Sequence, residues 1–383
     1  MEFAISEEHR MMLESVRQFR EKELMPLEKK FLLEGKLDTK VRHDLERRGR
    51  EAGFWALEVP EKYGGLDVGQ LGLCLIDEEL FKHPAMFEFG GSPEPALYLC
   101  NEEQKKSYFY PIIEGKKHSC YAFTEPDAGS DFARIRTVAR RDGDSWVING
   151  TKTFISYVDG ADFVILFTTT DPNAGSRGIT CFLVDKGTPG FNVSRKIPTM
   201  GDDWDPNELQ FSDCRVPDSV RLGEVNGGFA VADAQLTHGR LKIAAFNLGC
   251  AARSIEIALE WAKQRTTWGK PIGTRQAIQW MLADSEVELE AARLLVHRAA
   301  WMADNQHKIR NEAFIAKLYA TEMAQRVTDR CIQIMGGLGY TKEVPIQSFW
   351  RQVRVWRIGH GTSEIHRWMI ARNMLGLSAR ESN

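Results

Sequence analysis

Two kinds of hydrophobic spacing alternate along the 383-residue chain, and they divide it into three stretches. In the first stretch, Leu13, Val16 and Phe19 recur at roughly helical spacing, and Ser6 is placed to cap the first helix. The segment 60–65 interrupts this pattern, because its two glycines permit positive φ. The first stretch is therefore predicted to be helical and broken by a turn.

The second stretch changes from helical spacing to short β-branched and aromatic runs. These runs are 120–124, 146–150, 163–167 and 179–184. Turn-forming pairs, Asp142-Gly143, Asn149-Gly150 and Asp159-Gly160, separate them. The pattern predicts a β insert between helical regions.

The third stretch returns to helical spacing after the glycines at 227 and 228. Long runs with few helix breakers are predicted to be helices, namely 243–263, 276–304 and 312–335. Gly336 and Gly337 follow the last run, as glycines do at helix C-termini. The interpretation is an α+β multidomain chain with domains at 1–117, 118–225 and 226–383.

Composition limits the classes of function. The net charge is −3, with 27% charged and 43% hydrophobic residues, which does not favour nucleic acid as a partner. The start of the chain is acidic, unlike a signal peptide, and no apolar run approaches the ~20 residues of a membrane span. Seven scattered cysteines without a CxxC pair predict reduced, mostly buried thiols in a cytoplasmic protein, and no metal site.

Four segments carry candidate chemistry, each with a plainer alternative. Residues 123–131 form a small-residue turn that could approach an anionic or carbonyl-rich ligand, or merely end a strand. Residues 152–156 could line a site or be an alternating strand. Arg265, in segment 265–272, could bind a pyrophosphate or complement the dipole at a helix C-terminus. Residues 333–337 could contribute to a site or equally be an ordinary helix end.

Together with Gly361-Thr362-Ser363-Glu364-Ile365, these segments resemble the acyl-CoA dehydrogenase family in order and interval, over nearly the whole chain. The resemblance implies two all-α domains flanking a β-barrel, the second being a four-helix bundle. It also implies FAD as the cofactor.

By resemblance, Thr124 bonds the flavin pyrimidine edge, Phe154 covers the isoalloxazine and Ser156 faces its N5. Arg265 and the segment 333–337 reach the FAD of a neighbouring subunit. The full set implied for the cofactor is Tyr121, Phe123, Thr124, Gly129, Ser130, Phe154, Ser156, Arg265, Thr267, Trp268, Gln276, Gln333, Gly336, Gly337, Thr362 and Glu364. The set implied for the substrate is Ser130, Arg240 and Gly361.

The chain departs from the family at the catalytic base. The family has glutamate just before Gly-Thr-Ser, where this chain has His360, and the alternative carboxylate position on a helix is Gly239. Glu364 suits the first turn of a helix, where acidic residues are favoured. His238 is a lesser candidate for a residue that acts on the substrate. With an ordinary pKa near ~6.5, His360 could be the base; the chain could instead run another flavin-assisted reaction, or serve as a non-catalytic subunit.

The implied reaction is oxidation of an acyl-CoA, or acyl-carrier, thioester to the 2,3-enoyl thioester, with electrons passed to an electron-transfer flavoprotein. The implied assembly is a homotetramer, with a heterotetramer as the alternative. Segment 88–95 aligns near the acyl end of the pocket, where Gly90 and Gly91 leave room for a bulky group or simply break a helix.

Overall fold

The computed structural model describes residues 5–203 and 205–377, so predictions for residues 1–4 lie outside the described part. The first stretch is helical as predicted, and the Ser6 hydroxyl accepts a hydrogen bond from the His9 N–H at 3.1 Å, which confirms the cap. Its helices are α1 (Glu7–Phe19), α2 (Glu28–Glu34), α3 (Thr39–Glu51), α4 (Gly69–Leu80), α5 (Glu102–Gln104) and α6 (Tyr110–Ile113).

The second stretch is a β-sheet, and the four predicted runs lie in or overlap β1, β3, β4 and β5. The strands are β1 (Ser119–Ala122), β2 (Val138–Asp142), β3 (Ser145–Ile155), β4 (Phe163–Thr169), β5 (Ile179–Asp185), β6 (Phe191–Lys196), β7 (Asn207–Pro217) and β8 (Arg221–Leu222). They pair in the order β6-β7-β3-β2-β4-β5-β8, and β1 runs parallel to β4 with Ser119 opposite Phe163.

Strand β4 explains why this stretch contains an unbroken apolar run. Phe163 and Ile165 pack into a core shared with the first helices, whereas Val164 and Leu166 pack into a core drawn only from residues 120–220. Successive side chains of a strand point to opposite faces, so both faces of β4 are buried. The sheet thus curls around its own core and rests on the helices.

The third stretch is a helical bundle whose core includes α4. Its elements are α7 (Gly228–Gln264), β9 (Thr266–Thr267), β10 (Lys270–Pro271), α8 (Gln276–Asp304), α9 (Arg310–Met335), α10 (Ile346–Trp356) and α11 (Ser363–Met374). Helix α9 ends at Gly336 with φ 60°, as predicted. At 37 residues, α7 is about 55 Å long, so its two ends serve different parts of the molecule.

All seven cysteines are buried and free, which confirms the prediction of reduced thiols. Burial raises the pKa of several of them, for example that of Cys120 to about 12. Among the described residues, no helix combines the length and apolarity that crossing a bilayer requires.

Candidate active site

The turn between α10 and α11 holds His360 in a left-handed conformation, with φ 53°. Such a backbone costs a residue with a Cβ about 1–2 kcal/mol, and strain of this kind clusters at functional sites. The next residue, Gly361, also has positive φ (93°), and a Cβ there would lie 2.8 Å from His366 Nε2. The turn therefore requires glycine at 361 and tolerates histidine at 360.

The His360 imidazole lies between β1 and α7. Tyr121 Oη is 2.6 Å from His360 Nε2. On the other side, a Cβ built on Gly239 would lie 2.8 Å from His360 Cε1 and 2.9 Å from Nδ1. The two positions where the resemblance expects a carboxylate are therefore neighbours, and one imidazole fills the space at both.

The environment of His360 opposes protonation. Burial, followed by the positive charges of Lys317, Arg240 and Lys242, lowers the pKa of His360 to about 3. The expectation of an ordinary histidine pKa is therefore wrong, because it took no account of burial beside three cations. His360 is neutral at physiological pH, and its conjugate acid is disfavoured.

Two buried basic side chains fix the 359–361 turn, which we define as the backbone of Gly359, His360 and Gly361. Lys317 Nζ on α9 donates to the carbonyls of Gly359 at 2.9 Å and Gly361 at 2.8 Å. His366 Nε2 on α11 donates to the His360 carbonyl at 3.1 Å. Three consecutive carbonyls are thus held by side chains from two helices.

This arrangement determines where the turn directs its N–H groups. In each trans peptide unit the N–H points opposite to the preceding C=O, so the N–H groups of His360, Gly361 and Thr362 point away from Lys317 and His366. No described group accepts a hydrogen bond from these three. Such N–H groups can stabilise an oxygen that becomes negative during a reaction.

Lys317 itself is fully buried on α9. Burial and the nearby charge of Arg240 lower the pKa of Lys317 to about 7. The basic residues around the turn therefore disfavour one another's positive charges, and the carbonyl oxygens partly compensate Lys317.

Helix α11 begins directly after the turn. Thr362 is its N-cap, accepting a hydrogen bond from the Ile365 N–H at 3.3 Å, and Glu364 is exposed in its first turn. Backbone and Thr362 hydrogen bonds lower the pKa of Glu364. Glu364 therefore occupies the helix-mouth position that the sequence predicted.

The loop at 123–131 is anchored by a buried ion pair. Lys152 Nζ on β3 lies 2.8 Å from Glu125 Oε1 and donates to the Phe123 carbonyl at 3.0 Å. Glu125 also accepts from the backbone N–H of Thr137 at 2.9 Å. Because both charges are buried and paired, the loop has a defined shape, with Gly129 and Ser130 exposed on its outer side.

Phe154 breaks the alternation predicted for residues 152–156. It has φ 58° and is 58% exposed, while Thr153 and Ile155 on either side are buried. The Thr153 N–H donates to the Thr124 carbonyl at 2.9 Å, which brings Phe154 next to the 123–131 loop. An aromatic ring held outside the core beside this loop, with Ser156 following the end of β3, fits a planar flavin.

The aromatic residues of β1 are packed more deeply. The Phe123 ring stacks on Phe167 with centroids 4.3 Å apart and meets Tyr121 at 5.2 Å. Phe123 therefore contributes to the core, while Tyr121 turns its hydroxyl to His360.

The remaining cofactor candidates lie at the far ends of α7 and α9. We call residues 265–276 the distal hairpin: Arg265 caps α7, Thr267 lies in β9, and Gln276 starts α8. Trp268 is 91% exposed at its tip. Arg275 donates to the Thr267 carbonyl at 2.9 Å and lies 5.7 Å from the Trp268 ring, so it supports the hairpin.

Gln333, Gly336 and Gly337 are exposed at the end of α9. No hydrogen bond, ion pair or ring contact among residues 5–203 and 205–377 joins them, or the distal hairpin, to the 359–361 turn. A single chain therefore presents these candidates apart from His360.

Two further candidates on α7 differ in burial. His238 is exposed, with its ring Nδ1 3.4 Å from the Ala234 carbonyl. Arg240 is buried 4.4 Å from the Phe314 ring, and burial lowers its pKa to about 10. Arg240 is thus a buried side chain and not a charge on the helix surface.

The room expected at Gly90 and Gly91 is filled. A Cβ on Gly90 would lie 2.6 Å from Trp55 Cζ3, and one on Gly91 2.5 Å from Trp55 Nε1. The indole N–H donates to the Ile113 carbonyl at 2.7 Å. These glycines therefore accommodate Trp55 and leave no space there for a bulky acyl group.

Lys317 and His366 were missed by the sequence analysis. Neither residue was identified, because nothing in the local sequence shows that it lies beside the 359–361 turn. A lysine in a helix is usually at the surface, and only the fold shows that Lys317 is buried. A second missed feature had a visible signal: α8 carries apolar residues at a seven-residue interval that are exposed in the single chain, Trp280 (61%), Val287 (69%), Leu294 (53%) and Trp301 (47%).

Family models match three parts of the chain: the N-terminal domain of acyl-CoA dehydrogenase at 6–116, the middle domain at 120–214 and the C-terminal domain at 226–375. The chain is 38% identical to (R)-benzylsuccinyl-CoA dehydrogenase of Thauera aromatica, covering 98% of this chain and 97% of that protein. It is 37% identical to the mitochondrial short-chain specific acyl-CoA dehydrogenase of Homo sapiens, covering 97% and 91%.

Among solved structures, butyryl-CoA dehydrogenase from Megasphaera elsdenii superposes with a TM-score of 0.90 at 33% identity. The match covers 98% of this chain and all of that chain. This relative therefore shares the order of a helical part, a sheet and a second helical part.

Proposed function

Because this chain belongs to the acyl-CoA dehydrogenase family, whose members are FAD-dependent oxidoreductases of CH–CH groups, we propose that it oxidises an acyl thioester to the 2,3-enoyl thioester. The observation that carries this proposal is the neutral His360 ring held between Tyr121 and Gly239. Bound FAD would supply the acceptor for the hydride that leaves the substrate β carbon.

The cofactor would be held by residues of two kinds. Thr124, Ser130, Phe154 and Ser156 would bind it from one chain. Residues of the distal hairpin and of the α9 end, implied by resemblance to reach a neighbouring subunit, would complete the site from another chain.

The chain's own residues would handle the proton and the carbonyl. His360 would accept the α proton, with Tyr121 orienting its ring. The N–H groups of the 359–361 turn would bind the thioester oxygen as it gains charge. Since the pKa of His360 is about 3, it is ready to accept a proton at all ordinary pH values but is a weak base.

The test is anaerobic bleaching of the flavin by a panel of acyl-CoA thioesters. We expect His360→Gln to slow bleaching by about 100-fold or more, since a positioned base contributes 10²–10⁴-fold. The rate should not fall through a titration near pH 6.5, because His360 is already neutral there. Bleaching by His360→Gln at the wild-type rate would remove His360 as the base.

The same low pKa favours a second candidate, a flavoenzyme that performs oxygenation or elimination on the thioester without α-proton abstraction by His360. In that case the wild type should consume oxygen and give a hydroxylated or cleaved product by mass. His360→Glu, which restores the family carboxylate, should then create bleaching that the wild type lacks.

We also propose a tetramer, supported by the exposed apolar stripe on α8, with an electron-transfer flavoprotein as the electron acceptor. The homotetramer and heterotetramer make different predictions about cofactor content. A homotetramer should purify with one FAD per chain, whereas a heteromeric subunit should hold little FAD until its partner chain is added.

A further inference from the structure

One face of α7 carries polar residues on both sides of the contact with His360. Gln235, Gly239 and Lys242 are spaced four and three residues apart, so they share a helix face. Gly239 lies against the His360 ring. The residues before and after it therefore flank the reacting position.

Lys242 forms an ion pair at this face. Its Nζ is 2.7 Å from Glu88 Oε2, and the two side chains keep 45% and 38% of their surface accessible. Burial lowers the pKa of Lys242, but the carboxylates of Glu88 and Asp77 outweigh it and raise that pKa well above its usual value. The pair therefore packs among protein atoms and still keeps surface that a ligand could reach.

Other polar groups lie close to this ion pair. Gln235 accepts from the Ala96 N–H at 3.1 Å and donates to Glu94, whose pKa is raised by burial. Tyr157 has φ 62° and is 61% exposed. Desolvation by the surrounding protein, followed by the charge of Glu88, raises the pKa of Tyr157 above its usual value, and Lys242 opposes this; Tyr157 therefore lies near the ion pair.

We propose that this cluster is the acyl-end subsite and that it takes an acyl group bearing a hydroxyl or oxo oxygen, in place of a plain alkyl chain. The inference rests on the proposed function, which puts the substrate α carbon beside His360. The Lys242 ammonium would donate to the substrate oxygen, and a hydroxyl would donate to Glu88.

Energetics distinguish the two substrate classes. Burying a methylene of the acyl chain is favourable. An alkyl chain that displaces water from the Lys242–Glu88 pair removes hydration from two charges and offers no hydrogen bond in return, which is unfavourable. An oxygen that bonds both partners avoids most of that cost.

The test compares thioesters of equal length: hexanoyl-CoA, 6-hydroxyhexanoyl-CoA and adipoyl-CoA. Calorimetric Kd values are measured with the FAD-loaded protein, along with kcat/KM from flavin bleaching. We expect the hydroxyacyl thioester to bind at least about tenfold more tightly than hexanoyl-CoA, since a hydrogen bond to a charged group is stronger than one between neutral groups.

Lys242→Met should abolish this preference, and Glu88→Gln should weaken it. Lys263→Met is the matched control, because Lys263 also lies on α7 and pairs with a glutamate, Glu260, but at the far end of the helix. The control should keep the wild-type preference.

Tighter binding of hexanoyl-CoA or adipoyl-CoA by the wild type would overturn the proposal, as would a preference unchanged in Lys242→Met. Failure of the proposed function is distinguishable. A protein that prefers the hydroxyacyl thioester by calorimetry while its flavin is not bleached retains the subsite and lacks the oxidation.

Discussion

The 359–361 turn and the distal hairpin are both implied to be parts of one flavin site, yet they differ in how complete they are within one chain. Every carbonyl of the turn is bonded to a buried Lys317 or His366. The hairpin ends in Trp268 with 91% of its surface exposed. The comparison teaches that the proposed proton-handling part is complete within a single chain, whereas the proposed outer flavin-binding part is left exposed by it.

The largest effect should come from Lys317→Met. It leaves two turn carbonyls without their buried donor, at a cost of about 1–3 kcal/mol each, and frees the N–H groups from their fixed direction. We expect kcat to fall by about 100-fold with little change in KM. A chromophoric arylacryloyl thioester, whose absorption shifts to the red when its carbonyl is polarised, should lose most of that shift.

Lys317→Arg should recover part of the shift, because a guanidinium can also donate to two carbonyls. The matched control is Thr328→Val, three helical turns along α9, where the hydroxyl bonds only to its own helix. An undiminished red shift in folded Lys317→Met would contradict a positioning role for this residue.

The second effect tests the incomplete region. Leu294→Glu puts a charge into the α8 stripe, which the proposed assembly would bury, so the particle mass should drop and FAD should be lost. Met11→Glu is the control, because Met11 is likewise exposed (66%) but lies on a different helix, α1. If Leu294→Glu keeps the wild-type mass and FAD content, the stripe is not an assembly surface.

The third effect is acid sensitivity. Burial above all lowers the pKa of His83, His360 and His366 to about 3. The unfolded chain therefore binds protons below about pH 6.5 that the folded chain refuses, and stability falls with pH from there towards pH 3. Each histidine contributes at most about 1.4 kcal/mol per pH unit.

Urea unfolding of the protein between pH 7.5 and 5 measures this slope. His83→Asn should reduce it without touching the turn, since the His83 ring accepts from the Ala85 N–H at 3.1 Å and lies in the segment that follows α4. A free energy of unfolding that stays constant over this range would show that the histidines are protonated in the fold.

The smallest effect should come from Gly239→Ala. Its methyl would lie under 3 Å from the His360 ring, so the ring must shift away from Tyr121, while alanine favours the helix by about 1 kcal/mol. We expect a higher melting temperature and a slower reaction, by about tenfold, since a displacement of 1 Å can cost up to 10²-fold. Gly160→Ala, where nothing lies within 4 Å, should leave the rate unchanged.

Local patterns predicted the elements well. Helices α8 and α9 and strands β4 and β5 were predicted because their periodicity and flanking turns are properties of neighbouring residues. The domain limits and the cytoplasmic location stay predictions, as do the roles of the implied site residues.

Long-range contacts were not predictable in the same way. The pKa of His360 depends on Lys317, Arg240 and Lys242, which no local pattern connects to it. The exposure of Phe154 required a left-handed residue inside an alternating run. The pairing of Lys242 with Glu88 joins positions 154 residues apart.

The concealed cysteines make the chain a convenient background for chemical labelling. With all seven thiols inside the fold, a maleimide dye should meet one reactive sulfur when a cysteine replaces an exposed residue outside the α8 stripe, such as Met11. A spin label at that place would report the distance between subunits of the proposed tetramer without removing any native cysteine.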